Sequence, residues 1–223
     1  MVQNAANSIY LAALCLISGE AMMSSVASEK AVEVFGQHGG TLRASQAAAL
    51  GIGRSTLYRM VEAGRLDRMD RGLYRLADMP PLGDPDLIVV TQRVSDGVLC
   101  LVSALSFHDL TTQIPHEVQI AVSRRARYPR IVHPPVRVFR YSDEVLEAGV
   151  ESHEVDGHTV RVFSAEKTIA DCFKYRNKIG LDIAIEALRL YWQRRRPDIP
   201  ALMAYARICR VNRVIRPYLE VLQ

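Results

Sequence analysis

Residues 50–76, LGIGRSTLYRMVEAGRLDRMDRGLYRL, contain the pattern that most constrains how this chain folds. Between Arg54 and Ala63, apolar residues recur at the i, i+3 and i+4 spacing that marks one face of a helix. These residues are Leu57, Met60 and Val61. A turn containing Gly51 and Gly53 precedes the run, and Gly64 follows it in the position that ends a helix. The segment therefore predicts a short amphipathic helix.

The sequence on both sides of this helix completes a known motif. Upstream, the stretch that follows Ser28 predicts a first helix capped by that residue, and TLRASQAAALG predicts a short strand and a second helix capped by Ser45. Downstream, two short alternating segments flank Asp70-Arg71-Gly72, where glycine tolerates the positive φ of a tight turn. The order helix, turn, helix and basic hairpin predicts a winged helix-turn-helix over residues 28–78.

The polar face of the third helix and the hairpin are predicted to bind duplex DNA. The residues assigned to this contact are Arg54, Ser55, Thr56, Tyr58, Arg59, Arg68, Arg71 and Arg75. Arg59 is the best candidate for a base contact, because a guanidinium bonds guanine O6 and N7 together. Six arginines and three acids lie between Arg54 and Arg75, a local surplus of +3, while the whole chain carries +4. The alternative interpretation is a solvated surface in a module that contacts other proteins.

A larger domain is predicted after this module. The stretch ADMPPLGDPD is rich in proline and glycine, so we place a linker at 79–85 and a C-terminal domain at 86–223. Strands are predicted at 117–122, 136–141 and 158–164, the last after a turn at Asp156-Gly157. Helices are predicted at 86–94, 97–110, 165–175, 181–194, 199–210 and 212–222. The expected fold class is α/β (α+β), a winged helix-turn-helix followed by a mixed sheet faced by helices.

A second basic cluster lies between Ser123 and Tyr141, where the sequence contains no acid. It comprises Arg124, Arg125, Arg127, Arg130, Arg137 and Arg140. Such a cluster binds phosphates whatever their sequence, so a second nucleic-acid surface is one interpretation. A surface that faces a partner protein and a solvated loop are the other two.

The sequence offers little for catalysis, a metal or a cofactor. No phosphate-binding glycine loop is present, and Ser164 with Lys167 is better explained as the capped start of a helix. His108 is expected to be structural. The histidines near Asp156 have no further ligand at metal spacing, and the four cysteines are far apart, so we expect core packing at Cys100, Cys172 and Cys209. We therefore expect no enzyme, no metal and no cofactor.

Residues 1–27 are predicted to be an extension outside the folded domains. Their apolar run IYLAALCLIS lacks a preceding lysine or arginine and is too short to span a bilayer. An upstream-extended start, with Met22 or Met23 as the natural beginning, is the preferred explanation. A helix packed on the body is the second and export the third. We expect a cytoplasmic protein that does not bind membranes, and, since no heptad seam is present, a monomer in solution.

Three stretches resemble the AbiEi family, the antitoxins of type IV toxin–antitoxin systems. They are ALGIGRSTLYRMVEAGRLDRMDRGLYRL, LVSALSFHDLTTQIPHEVQIAV and VRVFSAEKTIADCFKYRNKIG, and together they extend the likeness over roughly residues 28–223. The resemblance implies a winged helix that binds inverted repeats in its own promoter. It also implies a C-terminal domain needed to counteract a nucleotidyltransferase-like toxin, with or without direct contact, and no catalytic activity. A winged-helix regulator without a toxin, whose C-terminal domain binds a ligand or a protein, is the first alternative, and a nucleic-acid-processing enzyme is the second.

Overall fold

We describe the protein from a computed structural model, which covers residues 25–129, 131–194 and 196–222. Residues 1–24 of the predicted extension lie outside the described residues, and so does Arg130. The chain divides into two compact units, Met1–Leu82 and Gly83–Gln223, and the division lies inside the stretch expected to be a linker. In the described part of the chain, no helix has the length and apolar character needed to cross a membrane.

The N-terminal unit consists of helices and one small sheet. Helix α1 covers 25–37, and it is followed by β1 (Thr41–Arg43), α2 (Ala44–Ala49), α3 (Arg54–Glu62), β2 (Leu66–Asp70) and β3 (Leu73–Leu76). The strands form an antiparallel sheet in the order β1-β3-β2. Phe35, Ala47, Leu57 and Met60 are buried together against the sheet residue Tyr74. This is the predicted helix, turn, helix and hairpin arrangement.

Two predicted helix caps in this unit are wrong. Ser28 lies inside α1, which is already helical at residue 25, so it does not start the helix. Ser45 is the second residue of α2, and the cap position belongs to Arg43. The backbone N–H of Arg43 donates to Oε1 of Gln46 at 2.9 Å, which is the contact that the third helical residue makes in a capping box.

The C-terminal unit is a mixed sheet with helices on both faces. Its elements in chain order are α4 (Pro85–Arg93), β4 (Val98–Leu99), α5 (Leu101–Phe107), β5 (Val118–Ser123), β6 (Val136–Tyr141), α6 (Asp143–Glu147), β7 (Val150–Val155), β8 (His158–Phe163), α7 (Ala165–Lys174), α8 (Arg176–Ile179), α9 (Leu181–Trp192), α10 (Ile199–Ile208) and α11 (Asn212–Leu222). The strand order is β6-β5-β4-β8-β7, with β5-β6 and β4-β8 parallel and the other pairs antiparallel.

The sheet separates two cores of unequal size. Helices α5, α7, α9, α10 and α11 pack in the larger core, which also contains Phe139, Tyr141 and Phe163 from the strands. On the other face, Val90 of α4 packs with Ile120 and Val122 of β5. Alternate residues of one strand thus enter different cores, as the period of two in a strand requires.

Two strands and two short helices of the C-terminal unit differ from the sequence prediction, which did not include α6 or α8. The apolar stretch 97–110 was expected to be one helix, but Val98 and Leu99 form a central strand that pairs with β5 and β8, and α5 begins only at Leu101. A short apolar run fits a buried strand and a buried helix equally well by periodicity. Strand β7 was not predicted, because VESHEV is an edge strand with few apolar residues.

The larger core encloses an ion pair on α7. Nζ of Lys167 lies 2.5 Å from Oδ2 of Asp171, and both side chains are fully buried. The ammonium group also lies 4.0 Å from the centre of the Phe163 ring. Gly149 passes so close that a Cβ atom there would lie 2.9 Å from the Cβ of Lys167, so this position requires glycine. Both charges therefore interact with partners inside the core.

Candidate nucleic-acid interface

Helix α3 has one buried face and one exposed face. Leu57 and Met60 are each 1% exposed and hold the helix against the core of the N-terminal unit. The exposed residues are Arg54, Ser55, Tyr58, Arg59 and Glu62. Their spacing of three and four residues places Ser55, Tyr58, Arg59 and Glu62 along one stripe of the helix. This stripe combines hydroxyl, guanidinium and carboxylate groups, which are groups that can form hydrogen bonds with the edges of bases.

Thr56 does not reach this exposed stripe. It is 8% exposed, and its backbone N–H donates to the carbonyl oxygen of Gly53 at 3.1 Å. Its hydroxyl Oγ1 accepts from Nη2 of Arg59 at 3.4 Å. From the sequence, Thr56 is predicted to contact DNA directly. The structure corrects this prediction, because the helical turn directs position 56 toward the core and its hydroxyl contacts Arg59 instead.

The hairpin that follows α3 has two exposed arginines near its turn. Arg68 on β2 and Arg71 in the turn are both exposed. The backbone N–H of Arg71 donates to Oδ1 of Asp70 at 2.6 Å, and Gly72 has a φ of 74°, which completes the reversal. The carbonyl oxygen of Gly72 accepts from the N–H of Ala44 at 2.8 Å. The turn that presents Arg71 is therefore fixed to the start of α2.

Arg75 also departs from its predicted role. It lies on the central strand β3, is 8% exposed, and pairs with Thr41 on one side and Asp67 on the other. Its guanidinium donates to the carbonyl oxygens of Met79, at 3.4 Å, and Pro80. Arg68 is opposite Tyr74 in the register, so Arg68 and Arg75 face opposite sides of the sheet. Arg75 fixes the chain that leaves the hairpin and is not available for phosphate.

Two exposed residues that were not assigned to the DNA contact lie beside the residues that were. Glu62 lies on the same stripe of α3 as Arg59, and Arg65 is exposed between α3 and β2. A carboxylate accepts a hydrogen bond from the N4 amino group of cytosine. The helical period alone identifies Glu62, since it is three residues beyond Arg59 and seven beyond Ser55.

The second basic cluster is divided by the fold of the C-terminal unit. Arg124, Arg125 and Arg127 are exposed in the loop after β5, and Tyr128 beside them is 57% exposed. Nη1 of Arg140 donates to the carbonyl oxygen of Arg124 at 2.6 Å and so holds the loop against β6. The loop therefore presents three cations and an aromatic ring to solvent.

Arg137 has a different environment from the loop arginines. Its Nη1 lies 3.4 Å from Oε1 of Glu117, and its guanidinium carbon lies 5.3 Å from the centre of the Phe139 ring. On strand β6 the side chain of Arg137 points to one face of the sheet and that of Arg140 to the other. The six arginines that are close in sequence are therefore not one continuous patch, and Arg130 lies outside the described residues.

The residues weighed for catalysis have structural contacts. Oγ of Ser164 accepts from the N–H of Lys167 at 3.2 Å, which confirms the predicted helix cap. Nε2 of His108 is 2.7 Å from the carbonyl oxygen of Phe163, and burial lowers the pKa of this imidazole. In the ranges that the structure describes, no group of three or more histidine, cysteine, aspartate or glutamate side chains has the arrangement of a metal site.

The three described cysteines are unpaired and buried, as expected. Sγ of Cys209 lies 3.1 Å from Oδ1 of Asp171, to which it donates. Burial, followed by the charge of Asp171, raises the pKa of this thiol to about 12. Burial also raises the pKa values of Cys100 and Cys172. These thiols stay protonated near neutral pH and are poor nucleophiles.

The geometry of the N-terminal unit agrees with the comparison to known proteins. Residues 29–77 match a family model described as "Transcriptional regulator, AbiEi antitoxin". The likeness to this family covers residues 29–77. The match confirms the resemblance stated from the first of the three sequence stretches, and it contains every residue of α3 and of the hairpin. The other two stretches lie beyond the matched residues.

A solved structure extends the comparison to the architecture of the chain. The crystal structure of the RV2827C protein from Mycobacterium tuberculosis is similar with a TM-score of 0.51 and 13% identity, over 87% of this chain and 81% of that one. At this identity the likeness concerns the fold alone. A search of curated proteins found no match.

Proposed function

We propose that the protein is a sequence-specific DNA-binding regulator of the AbiEi antitoxin type. The observation that carries this proposal is the exposed stripe of α3 beside the basic hairpin, in the segment that matches the AbiEi family. A helix with a polar stripe fits the major groove of B-DNA, and a flanking hairpin reaches the adjacent backbone.

Each exposed side chain of the interface has a role in this proposal. Arg59 bonds the O6 and N7 atoms of a guanine, and its Nη2 contact to Oγ1 of Thr56 restricts its orientation. Ser55 and Tyr58 contact bases or phosphates beside it. Arg54, Arg68 and Arg71 contact phosphates, which fix the register of the helix on the duplex without reading sequence.

The C-terminal unit contributes a second contact in our proposal. Arg124, Arg125 and Arg127 are exposed on one loop whose position is held by Arg140. Guanidinium groups on such a loop neutralise backbone phosphates of any sequence. The competing assignment for this loop is a surface that faces a partner protein.

We further propose that the protein represses its own operon through inverted repeats and counteracts a nucleotidyltransferase-like toxin. The support is the family description, which names an antitoxin and a transcriptional regulator together. The protein acts without catalysis or cofactor in this scheme, as a cytoplasmic monomer that binds neighbouring half-sites. A regulator without a toxin partner is the second candidate, since the family match stops at residue 77.

Fluorescence anisotropy with the DNA upstream of the gene tests the central part of the proposal. We expect Arg59→Ala to weaken binding by about 1–3 kcal/mol, because the bidentate hydrogen bonds to a base are removed. Arg213→Ala is the matched control, because Arg213 is an exposed arginine on α11, remote in sequence from the interface. Equal affinity of the wild type and Arg59→Ala would refute the assigned reading face.

Co-expression tests the toxin part separately. The gene adjacent to this one is expressed with and without the antitoxin candidate, and bacterial growth is measured. We expect the adjacent gene to encode a nucleotidyltransferase that arrests growth and the protein to restore it. Growth arrest that persists in the presence of the protein would favour the regulator without a toxin.

A further inference from the structure

The C-terminal unit contains a cavity that the DNA-binding proposal does not use. Its volume is about 390 Å³, within the range of about 300–1,000 Å³ that is typical of small-molecule sites. The start of α4, helix α5, the segment before β5 and the turn between β7 and β8 form its walls. The lining residues that the structure describes all belong to the unit that begins at Gly83.

The inner wall of this cavity is apolar and rigid. Leu87 of α4 and Leu99 of β4 are 6% and 2% exposed, so both are fixed by packing. Phe107 of α5 and Val155 of β7 complete the wall, and both are partly exposed. A ligand with a hydrocarbon body would therefore displace water from an apolar surface.

The polar lining of the cavity carries negative charge. Asp84, Asp86, Glu117 and Asp156 all line it, and the only basic side chain among the described lining residues is the imidazole of His116. No lysine or arginine lines the cavity among these described residues, but Nη1 of Arg137 lies 3.4 Å from Oε1 of Glu117 and offsets its charge. Asp84, Asp86 and Asp156 therefore supply the net negative charge of the lining. The electrostatic field of the cavity thus favours a cation and disfavours nucleotides, in contrast to the basic face of the N-terminal unit.

Hydrogen bonds hold two of these carboxylates in place. Oδ1 of Asp84 accepts from the N–H of Leu87 at 2.9 Å, and Oδ2 of Asp156 accepts from the N–H of Gly83 at 3.0 Å. A carboxylate has two oxygens that accept hydrogen bonds, so each of these groups retains capacity for a ligand. Their positions are set before a ligand arrives, which lowers the entropic cost of binding.

The distribution of the charges indicates the type of cation. Asp84 and Asp86 lie at the start of α4 with Asp156 bonded to Gly83 beside them, and Glu117 lies on the separate segment before β5. Within the described residues, no three acidic, histidine or cysteine side chains converge as a metal site. A small divalent ion requires such convergence. We propose that this cavity binds an organic cation, an elongated amine or guanidine whose charged ends meet the carboxylates and whose hydrocarbon stem lies on the apolar wall. The ring of Phe107 adds an aromatic face for a cation or for the stem.

Isothermal titration of the full chain with spermidine tests this site without DNA. We expect saturable binding of one spermidine per chain, and binding weaker on the order of tenfold in the double variant Asp86→Asn, Asp156→Asn, since two charge-assisted hydrogen bonds are removed. Asparagine keeps an acceptor for the N–H of Gly83 and tolerates the φ of 50° found at position 156. Glu144→Gln is the matched control, because it removes an exposed acid that does not line the cavity.

Amide chemical shifts locate the bound spermidine independently of any variant. We expect shifts concentrated at Gly83, Ser103 and Phe107, and no such shifts with inorganic phosphate or with magnesium chloride of the same ionic strength. Absent binding, equal binding by the double variant, or shifts spread over the whole surface would overturn the proposal. Because no DNA is present, each of these results leaves the promoter-binding proposal unaffected.

Discussion

Arg59 on α3 and Lys167 on α7 are both cations on short amphipathic helices, but the fold treats them in opposite ways. Arg59 is exposed on a stripe of polar side chains, while Lys167 is fully enclosed and lies 2.5 Å from a carboxylate oxygen of Asp171. The same contrast divides the two units: the N-terminal unit presents most of its basic residues, and the C-terminal unit pairs or encloses several of its own. A basic residue therefore indicates an interface only where its secondary structure turns it toward solvent.

The largest effect is expected from the enclosed cation. Lys167→Met should lower the free energy of unfolding by about 3–5 kcal/mol, because Asp171 would remain buried without its partner. Trp192 of α9 is the only tryptophan, so its fluorescence during urea unfolding reports the C-terminal unit. Lys174→Met is the control, since Lys174 is an exposed lysine on the same helix. Similar losses for the two variants would show that the contrast between exposed and enclosed cations is wrong.

Arg75 and Arg68 give the same contrast within the hairpin. Arg75→Met should destabilise the N-terminal unit by about 1–3 kcal/mol, because the carbonyl oxygens of Met79 and Pro80 lose their donor. Faster amide hydrogen exchange at Leu57 and Met60 measures this loss. Arg68→Met should leave exchange unchanged and weaken DNA binding. Unchanged exchange together with weaker DNA binding in Arg75→Met would instead place Arg75 in the DNA interface.

The loop arginines of the C-terminal unit affect the salt dependence of binding. With about five phosphates neutralised, the slope of log K against log salt should be near −4 to −5. Changing Arg124, Arg125 and Arg127 together to glutamine should reduce its magnitude by roughly 1 for each phosphate that the loop no longer neutralises. Arg137→Gln should have little effect, because Arg137 pairs with Glu117. An unaltered slope in the triple variant would assign the loop to a partner protein.

The smallest effect is expected at Thr56. Thr56→Val keeps the shape of this buried residue but removes the oxygen that accepts from Arg59. The hydrogen bond is long, at 3.4 Å, so DNA affinity should fall by only about 0.5 kcal/mol. Anisotropy measures the change, and Thr56→Ser should retain wild-type affinity. A loss as large as that of Arg59→Ala would mean that Thr56 itself touches the DNA.

The sequence predicted the N-terminal unit well because its signals are local. The spacing of Leu57 and Met60 and the turn glycines Gly64 and Gly72 determine α3 and the hairpin without reference to the rest of the chain. The exposure of Arg75 could not be predicted in this way. It depends on strand pairing and on the carbonyl oxygens of residues 79 and 80, which accept hydrogen bonds from its guanidinium.

The C-terminal unit depends more on contacts between distant residues. Val98 and Leu99 become a strand only because β5 and β8 lie on either side, so periodicity alone predicted a helix there. The pair Lys167 and Asp171 has the i, i+4 spacing of an exposed helix pair, and only the packing of Phe163 and Cys209 shows that it is buried. The cavity likewise combines segments that range from residue 83 to residue 156.

The most direct test of the account compares wild-type protein and Arg59→Ala on a panel of upstream DNA duplexes, each with one base pair of the binding site replaced. If Arg59 reads a guanine, the variant should lose discrimination at one base-pair position and keep it at all others, while its affinity for the unaltered site falls by about 1–3 kcal/mol. Discrimination that is unchanged at every position, with or without a uniform loss of affinity, would contradict the central claim that the exposed stripe of α3 reads DNA sequence.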